Sequence, residues 1–547
     1  MVNRMGKKDN GGGFIVQASI LALTGIFCRI IGLLYRSPLA NIIGDEGNGY
    51  YNSAYNIYTI VLLISSYSIP SAISKVIAER LALKQYKNAH RIFKCAVLYV
   101  VIVGGIASLF TFTCAGWLVE EKDSTMVLQI FAPTVFFSGL LGVLRGYFQA
   151  HGTMLQTSCS QIIEQILNAA VSLAAAYLFM QSVAGQGKTT QAIYGAAGSA
   201  LGTGVGVLTA LVFMLLMYLL NKKFIRKRIE HDKRKEVDSY SHIFRIIILM
   251  VTPVILSTFI YNSSTVINQT IYQKIMKYFY DIPTDVVAAN YGVFAGKSVV
   301  IINIPIALAS AMSAAMIPMI SGSYAMGDEE ETNGRIQRGI KTTMLISIPC
   351  AVGLFVLAKP VMLCLFPQRE SLELASDLLR VLSVSVVFYA LSTLTNGVLQ
   401  GIGKVNKPVI NAAVALLIQT CVLVSLLLFT DFNLYCLAIA MITYSFAMCI
   451  LNQRSIRQCL AYRLDLLGIF IKPSIASLIM GAIAWGMYYL AYMLVPINVV
   501  CLAISVILAV AVYFILVIKI GVVNEEEMLQ MPKGTVLIRA ARKLRLI

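Results

Sequence analysis

Two arginines in the first apolar run have the type and spacing that most plainly suggest chemistry. Arg29 and Arg36 are seven residues apart, so on a helix they share one face to within about 20° and lie about 10 Å apart along the axis. Two guanidinium groups stacked in this way form a fork-shaped receptor for phosphate oxygens. A charge deep in a membrane helix must face protein or water, so we expect Arg29 to line a cavity. For Arg36, snorkelling to the membrane interface remains an alternative.

Polar side chains in other apolar runs extend this candidate site. Lys297, in the string Gly296-Lys297-Ser298, would approach the same cavity from the second half of the chain, again with snorkelling as the alternative. Amides within apolar runs could hydrogen-bond sugar hydroxyls, although such groups more often bond neighbouring helices. The amide candidates are Asn52, Asn56, Asn268 and Asn303. Four tyrosines of the second apolar run indicate an interfacial aromatic belt, of which the deeper two are cavity candidates: Tyr50, Tyr51, Tyr55 and Tyr58.

One acidic residue and one basic residue flank the same short connection. Arg145 ends the fourth apolar run and Glu164 begins the fifth, so the two side chains can pair across the loop. We expect a structural ion pair, because an unpaired charge at this depth would be costly. A role as a gate is the alternative.

The composition requires these residues to be positioned by membrane helices. Of 547 residues, 58% are apolar and 13% are charged, and the mean hydropathy is +0.77. A soluble domain is about 45–50% apolar and about 25% charged, which excludes a soluble enzyme. In a membrane protein, a net charge of +18 is explained by basic residues concentrated in the cytoplasmic connections, and it is not evidence of affinity for nucleic acid. We therefore expect no nucleic-acid partner. The eleven cysteines and four histidines are scattered singly, so we expect no metal site and no cofactor.

The apolar runs predict an all-α integral membrane protein with 14 transmembrane helices. Crossing about 30 Å of hydrocarbon takes roughly 20 apolar residues as a helix, and runs of that length recur from end to end. With the N-terminus inside, most of the 44 Lys and Arg residues fall in cytoplasmic connections, as basic residues do in multi-pass proteins. Both termini are therefore predicted to be cytoplasmic. The basic run from Lys222 to Lys235 then faces anionic membrane lipids.

Two short strings indicate an internal duplication. Residues 142–146 (GVLRG) match 397–401 (GVLQG), and residues 69–74 (IPSAIS) match 317–321 (IPMIS), each pair six spans apart. Two such six-helix lobes with the same orientation are an arrangement of alternating-access transporters, which bind substrate between the halves. The predicted organisation is a cytoplasmic N-terminus 1–13, an N-lobe 14–220, a basic linker 221–242, a C-lobe 243–451, two further helices in 452–519 and a basic cytoplasmic tail 520–547.

Three stretches of the sequence resemble one family. They are residues 28–36 with 43–47, residues 69–75, and residues 144–149 with 160–165. They are similar to the bacterial polysaccharide-biosynthesis exporters of the stage V sporulation protein B type, in the multidrug/oligosaccharidyl-lipid/polysaccharide (MOP) superfamily and close to the lipid II flippases. The resemblance implies a MATE-like, V-shaped pair of lobes around a central cavity in the bacterial plasma membrane.

The same resemblance implies a function. The implied function is that of a flippase, which moves a lipid-linked, pyrophosphate-bearing cell-wall precursor from the inner to the outer leaflet. Such a protein is a transporter and not an enzyme. Lipid II is the first candidate, the partner being a lipid-linked oligosaccharide of the undecaprenyl-pyrophosphate type, and we expect a monomer. Lipid II flippases generally carry a further cavity arginine in the second helix, whereas residues 50–70 contain no basic residue.

Three alternatives remain open at this point. One is an exporter of another lipid-linked polysaccharide unit, for a capsule or a spore wall. A MATE-type drug antiporter would need a buried carboxylate in the N-lobe, where the predicted spans contain only Glu164. A polytopic glycosyltransferase would need a catalytic carboxylate at the membrane surface, for which Asp45 and Glu46 are the nearest candidates.

Overall fold

The structure, a computed structural model, describes residues 12–67, 69–230, 232, 238–366, 368–460, 465–523 and 538. It divides into two compact units, Met1–Gly292 (unit 1) and Val293–Ile547 (unit 2). Residues 1–11 of the predicted N-terminus, 231 and 233–237 of the predicted linker, and 524–537 and 539–547 of the predicted tail lie outside the described residues.

Nine α-helices build the described part of unit 1. They are α1 (Gly12–Leu62), α2 (Ile69–Ala82), α3 (Tyr86–Thr113), α4 (Ala115–Leu118), α5 (Thr125–Ala150), α6 (Met154–Ser182), α7 (Lys188–Glu230), α8 (Tyr240–Tyr278) and α9 (Thr284–Gly292), with a π-helical turn at Leu63–Tyr67 and a 3₁₀ turn at Lys122–Ser124.

The first helix contains the first predicted span and residues 50–62 of the second. Helix α1 is broken at Gly44, where φ is 71° and ψ is 179°. Glycine adopts a positive φ without the steric cost that a side chain brings. The two parts of α1 are therefore separated by a break at one residue.

Small residues bring α6 and α7 into backbone contact. Gly198, Gly202 and Gly206 recur every four residues on α7, and an added Cβ at these positions would lie 2.5, 2.2 and 2.7 Å from atoms of α6. The last of those atoms is the carbonyl oxygen of Glu164. Small residues at this spacing allow membrane helices to approach closely, so the α7 face fixes the position of Glu164.

The two repeated strings make corresponding contacts inside each unit. In unit 1, an added Cβ at Gly146 would lie 2.7 Å from the carbonyl oxygen of Pro70; in unit 2, one at Gly401 would lie 3.3 Å from that of Ile317. In each unit, the glycine-containing string thus packs on the Ile-Pro string. This correspondence supports the duplication indicated by the sequence.

Eight α-helices build the described part of unit 2. They are α10 (Val299–Ala325), α11 (Glu329–Val356), α12 (Ala358–Leu365), α13 (Leu372–Gly401), α14 (Asn406–Phe429), α15 (Leu434–Cys459), α16 (Lys472–Leu494) and α17 (Asn498–Lys519), with π-helical turns at Val293–Ser298 and Leu467–Ile471.

Buried amides tie the middle helices of unit 2 together. The Nδ2 of Asn411 on α14 donates to the Oδ1 of Asn452 on α15 at 2.9 Å, and the Nδ2 of Asn452 donates to the Oδ1 of Asn396 on α13 at 2.8 Å. The last two helices also belong to this unit, because the Tyr513 hydroxyl of α17 donates to the carbonyl oxygen of Leu345 on α11 at 2.9 Å.

Eleven helical segments within the described residues are long and apolar enough to cross a membrane. Helices α1 and α8 are further long helices, of 51 and 39 residues. The chain is therefore a multi-pass, all-helical membrane protein, while the count of fourteen spans stays a prediction. The contact boundary between the units lies after Gly292, so α8 and α9 pack with unit 1. The predicted lobe boundary in residues 221–242 also stays a prediction.

Candidate functional site

Arg36 lies half-buried among hydroxyl groups of unit 1. Its guanidinium is within electrostatic range of three tyrosine hydroxyls, those of Tyr35, Tyr51 and Tyr55. The Tyr51 and Tyr55 rings stack with their centroids 5.7 Å apart, and both contact Phe131. Snorkelling would carry the side chain away from these hydroxyls. A guanidinium beside neutral donors keeps its charge available for an anion.

Arg29 is exposed on unit 1. The adjacent Cys28 thiol is within electrostatic range of Glu164 and Arg145, so this part of α1 lies near the start of α6. That Arg29 lines a water-filled cavity stays a prediction. The two predicted arginines therefore lie on the same helix in different surroundings, one exposed and one among hydroxyls.

Arg145 and Glu164 form an ion pair between α5 and α6. The Nη2 of Arg145 lies 2.7 Å from the Oε2 of Glu164, and the side chains are 15% and 22% exposed. The Nε of Arg145 also donates to the Ser160 hydroxyl at 2.9 Å. The guanidinium is thus held by two groups of α6. Whether this pair is structural or acts as a gate stays a prediction.

Polar side chains from three helices of unit 1 bond to one another. The Nδ2 of Asn56 on α1 donates to the Oε1 of Gln269 on α8 at 2.7 Å and to the Tyr291 hydroxyl on α9 at 2.8 Å. The Nε2 of Gln273 on α8 donates to the Ser53 hydroxyl on α1 at 2.9 Å. Interhelical bonds of this kind fasten membrane helices. The network therefore holds α8 and α9 on α1.

The other predicted amides differ in exposure. Asn52 is buried, and its Nδ2 donates to the carbonyl oxygen of Asn48 at 2.7 Å, one turn earlier on α1. Asn268 is also buried, whereas Asn303 on α10 is exposed. Of these three, Asn303 has its amide at a surface in this conformation. Contact of Asn52 or Asn268 with a sugar stays a prediction, and it would require their surroundings to open.

Lys297 is buried inside unit 2. It lies in the π-helical turn Val293–Ser298 and is 1% exposed. Its Nζ donates to the Ser371 hydroxyl at 2.7 Å and to the Oε1 of Gln368. Snorkelling is therefore not what the structure shows, and the ammonium is not at an open surface in this conformation. A substrate contact would require these bonds to break, and π-helical turns are often found where helices change shape at functional sites.

Sequence reasoning missed several residues around these groups. The belt prediction is wrong for Tyr50 and Tyr51, which are 0% and 4% exposed and lie in the core of unit 1. Tyr35 and Tyr291 were not candidates, because a lone tyrosine in an apolar run carries no spacing signal. Gln273 had a usable signal, since an amide near the end of an apolar run usually has a partner.

All eleven cysteines are free thiols. Within the part of the chain that the structure describes, no group of three or more His, Cys, Asp or Glu side chains is arranged to hold a metal ion.

The family model described as "Lipid II flippase MurJ" matches residues 87–504, which is well over half of the chain. The chain belongs to the MurJ family. Its family is one of membrane transporters, which confirms the resemblance drawn from the sequence.

Two curated relatives come from Bacillus subtilis (strain 168). A lipid II flippase MurJ is 24% identical over 417 residues, covering 73% of this chain and 75% of that protein. Stage V sporulation protein B is 22% identical over 542 residues, covering 96% of this chain and 99% of that protein. The resemblance to the sporulation-type exporters thus extends through nearly the whole of this MurJ-family chain.

Solved structures share the fold of this MurJ-family chain. A lipid II flippase MurJ in an inward closed conformation superposes with a TM-score of 0.64 at 16% identity, covering 91% of this chain and 97% of that one. An inward-facing MATE family transporter of the MOP superfamily gives 0.58 at 14% identity, covering 82% and 98%. At these identities the match shows the fold, which is the MurJ/MATE-like architecture expected from the sequence.

Proposed function

We propose that this chain is a flippase that moves a lipid-linked, pyrophosphate-bearing cell-wall precursor, lipid II as the first candidate, from the inner to the outer leaflet of the bacterial plasma membrane. The observation that carries the proposal is Arg36, a guanidinium within unit 1 that is within electrostatic range of three tyrosine hydroxyls. Membership of the MurJ family supports the same substrate class.

The chemistry of Arg36 favours a phosphate group. A guanidinium offers a planar fork of donors that matches phosphate oxygens, and tyrosine hydroxyls can donate to the same oxygens. Arg29, seven residues earlier on α1, adds a second cation for a diphosphate. A neutral or cationic solute would leave both guanidiniums without a counter-charge, which selects against such substrates.

The remaining candidates take secondary roles. Asn303, which is exposed, would bond a sugar hydroxyl, and Asn56 would do so if it left Gln269 and Tyr291. Lys297 would join the anion only after release from Ser371 and Gln368. Such a release during alternating access would give the cation two states, one bonded within unit 2 and one facing substrate.

We also propose the topology and assembly that this function needs. Both termini and the basic run that begins at Lys222 lie in the cytoplasm, the run contacts anionic lipids, and the chain works as a monomer with fourteen spans in two lobes, residues 14–220 and 243–451. The helical extension of α7 to Glu230 carries the first part of that basic run.

A second substrate is supported by one specific observation. Stage V sporulation protein B matches this chain over nearly all of both sequences. The alternative cargo is therefore another lipid-linked glycan, for a capsule or a spore wall. Because it would present the same pyrophosphate, the Arg36 chemistry is common to both substrates and the glycan distinguishes them.

Depletion of the protein in its own host identifies the cargo. Lipid-linked intermediates are extracted after depletion and identified by mass spectrometry, and we expect the precursor carrying peptidoglycan disaccharide-pentapeptide to accumulate. Accumulation of a different lipid-linked glycan would favour the second substrate. No accumulation of any lipid-linked pyrophosphate would contradict both.

Reconstitution tests the role of Arg36. Purified protein in liposomes is assayed for translocation of labelled lipid II, using Arg36→Gln and, as the matched control, Arg226→Gln. Arg226 is an exposed arginine of α7 paired with Glu230, so its loss removes the same charge away from the site. We expect the Arg36 variant to lose translocation and the Arg226 variant to keep it; equal rates for the Arg36 variant and the parent would refute the anion site.

A further inference from the structure

Glu121 is a buried acid that the function above does not use. It lies in the short connection between α4 and the 3₁₀ turn Lys122–Ser124 and is 2% exposed. Neither of its carboxylate oxygens has a hydrogen-bond partner within the described residues. The amide of Gln273 acts on the Glu121 carboxyl and partly offsets the rise in its pKa, but its Nε2 is shared with the Ser53 hydroxyl, to which it donates at 2.9 Å. A buried carboxylate without a donor is one of the most costly groups a protein can hold in charged form.

Other acids crowd the same end of unit 1. The Tyr50 hydroxyl on α1 lies 3.0 Å from the Oε1 of Glu46 and 3.5 Å from the Oδ2 of Asp123. Asp123 is two residues from Glu121 and acts on it electrostatically. Because a hydroxyl has one proton to donate, Tyr50 cannot satisfy both acids at once. The Glu121 carboxyl therefore faces negative charge as well as burial.

Basic residues on α8 only partly offset this charge. Lys277 is within electrostatic range of Glu121, whereas the Nζ of Lys274 lies 3.6 Å from the neighbouring Glu120. From α9, the Tyr291 hydroxyl faces Glu121. Burial first, and Asp123 second, raise the pKa of Glu121 to about 8.

Helix α9 closes tightly over this end of unit 1. An added Cβ at Gly49 on α1 would lie 1.9 Å from the carbonyl oxygen of Ala288, and one at Gly292 would lie 2.1 Å from that of Asp45. Backbone contact this close leaves no room for a water molecule between α1 and α9 at these two positions. Because groups on α1, α8 and α9 interact with Glu121, loosening α8 and α9 from α1 would admit water to its carboxylate.

We propose that Glu121 is a proton-binding site, and that release of its proton loosens the packing of α8 and α9 on α1. A neutral carboxyl is compatible with the closed packing, while an ionised one gains solvation from opening. In the topology proposed above this end of unit 1 faces the outside, so the site would respond to external pH. The inference rests on the contacts around Glu121 and not on the identity of the cargo.

Hydrogen–deuterium exchange of α9 measures the opening directly. The full chain in lipid nanodiscs is compared with Glu121→Gln at each pH from 6 to 9, so that the ratio of the two rates cancels the intrinsic pH dependence of exchange. The glutamine mimics the protonated carboxyl. For Thr284–Gly292, we expect the exchange rate of the parent divided by that of Glu121→Gln to rise by up to about tenfold per pH unit below pH 8. Above pH 8 this ratio should level off.

Two controls make the result specific. Glu120→Gln removes the neighbouring charge, which is paired with Lys274, and should keep the pH-dependent rise. Glu121→Leu, which cannot ionise or donate, should be as flat as Glu121→Gln. A ratio that stays constant from pH 6 to 9, or a rise that Glu120→Gln also abolishes, would overturn the proposal.

Thermal unfolding and ion replacement give independent readouts. Because the folded-state pKa of Glu121 is raised above the ordinary value of 4.5, its contribution to stability is complete below about pH 4.5 and is lost as the pH rises through 8. We expect the parent to lose Tm relative to Glu121→Gln across that window. Replacing sodium with choline should leave the exchange midpoint unchanged; a midpoint that moves would overturn a proton site in favour of a metal-cation site.

Discussion

Neutralising one member of the Arg145 and Glu164 pair should destabilise unit 1. Removing one partner of a buried pair costs about 3–5 kcal/mol. The two side chains keep 15% and 22% exposure, and water screens part of the remaining charge, so we expect about 2–4 kcal/mol here. At about 2 °C per kcal/mol for a unit of this size, the Tm should fall by about 4–8 °C.

The variants differ in which charge they leave behind. Glu164→Gln leaves Arg145 with the Ser160 hydroxyl, which lies 2.9 Å from its Nε, while Arg145→Gln leaves the carboxylate without its cation. Two double variants should each lower the free energy of unfolding less than either single change, because neither leaves an unpaired buried charge. They are the charge swap, Arg145→Glu with Glu164→Arg, and the neutral pair, Arg145→Gln with Glu164→Gln. Tm in detergent and protein abundance in membranes measure the effect.

The matched control is Arg226→Gln on α7. Arg226 pairs with Glu230 at 2.8 Å, with side chains 80% and 59% exposed, so its loss should leave the Tm unchanged. If both single variants of the buried pair keep the parental Tm and abundance while transport stops, the structural role is refuted and the gate role takes its place.

Three further outcomes are expected. Arg29→Ala should fail to complement a strain lacking its flippase despite normal expression, and Arg29→Lys should rescue partly, because losing the bidentate fork costs about 1.5–3 kcal/mol; full growth of Arg29→Ala would contradict the anion site. Ser239→Cys, at the exposed N-cap of α8, should resist impermeant thiol reagents in intact cells and react after permeabilisation; labelling in intact cells would invert the topology. Gly202→Ala should lower the Tm strongly, because its Cβ would meet the Ser172 hydroxyl at 2.2 Å, while Gly185→Ala, in open space, should not; equal Tm values would contradict the close α6–α7 packing.

Local features of this protein could be predicted from the sequence because their causes are local. Arg145 and Glu164 are 19 residues apart and flank one connection, so a short loop returns one toward the other. The repeated strings were visible because duplication keeps residue order. In both cases, chain neighbours determine which groups meet.

The surroundings of the single cations required the folded chain. Lys297 bonds to residues 71 and 74 positions away, so no spacing rule could distinguish burial from snorkelling. Arg36 meets Tyr51 and Tyr55 only because α1 breaks at Gly44 and its second half packs nearby. The amide Asn56 reaches partners more than 200 positions away.

The sequence by itself determined the membrane class and the helical architecture of this protein, because both follow from the length of its apolar runs and from the cost of burying charge in lipid. Three stretches of the sequence also indicated its family. Tertiary structure decided which charges are satisfied and which are left without partners. Glu121 shows the difference: as one of three acids in a short polar connection it resembles any solvated loop residue, whereas in the folded chain it is buried and interacts with groups on α1, α8 and α9. Burial depends on long-range contacts, and the sequence of a loop does not contain them.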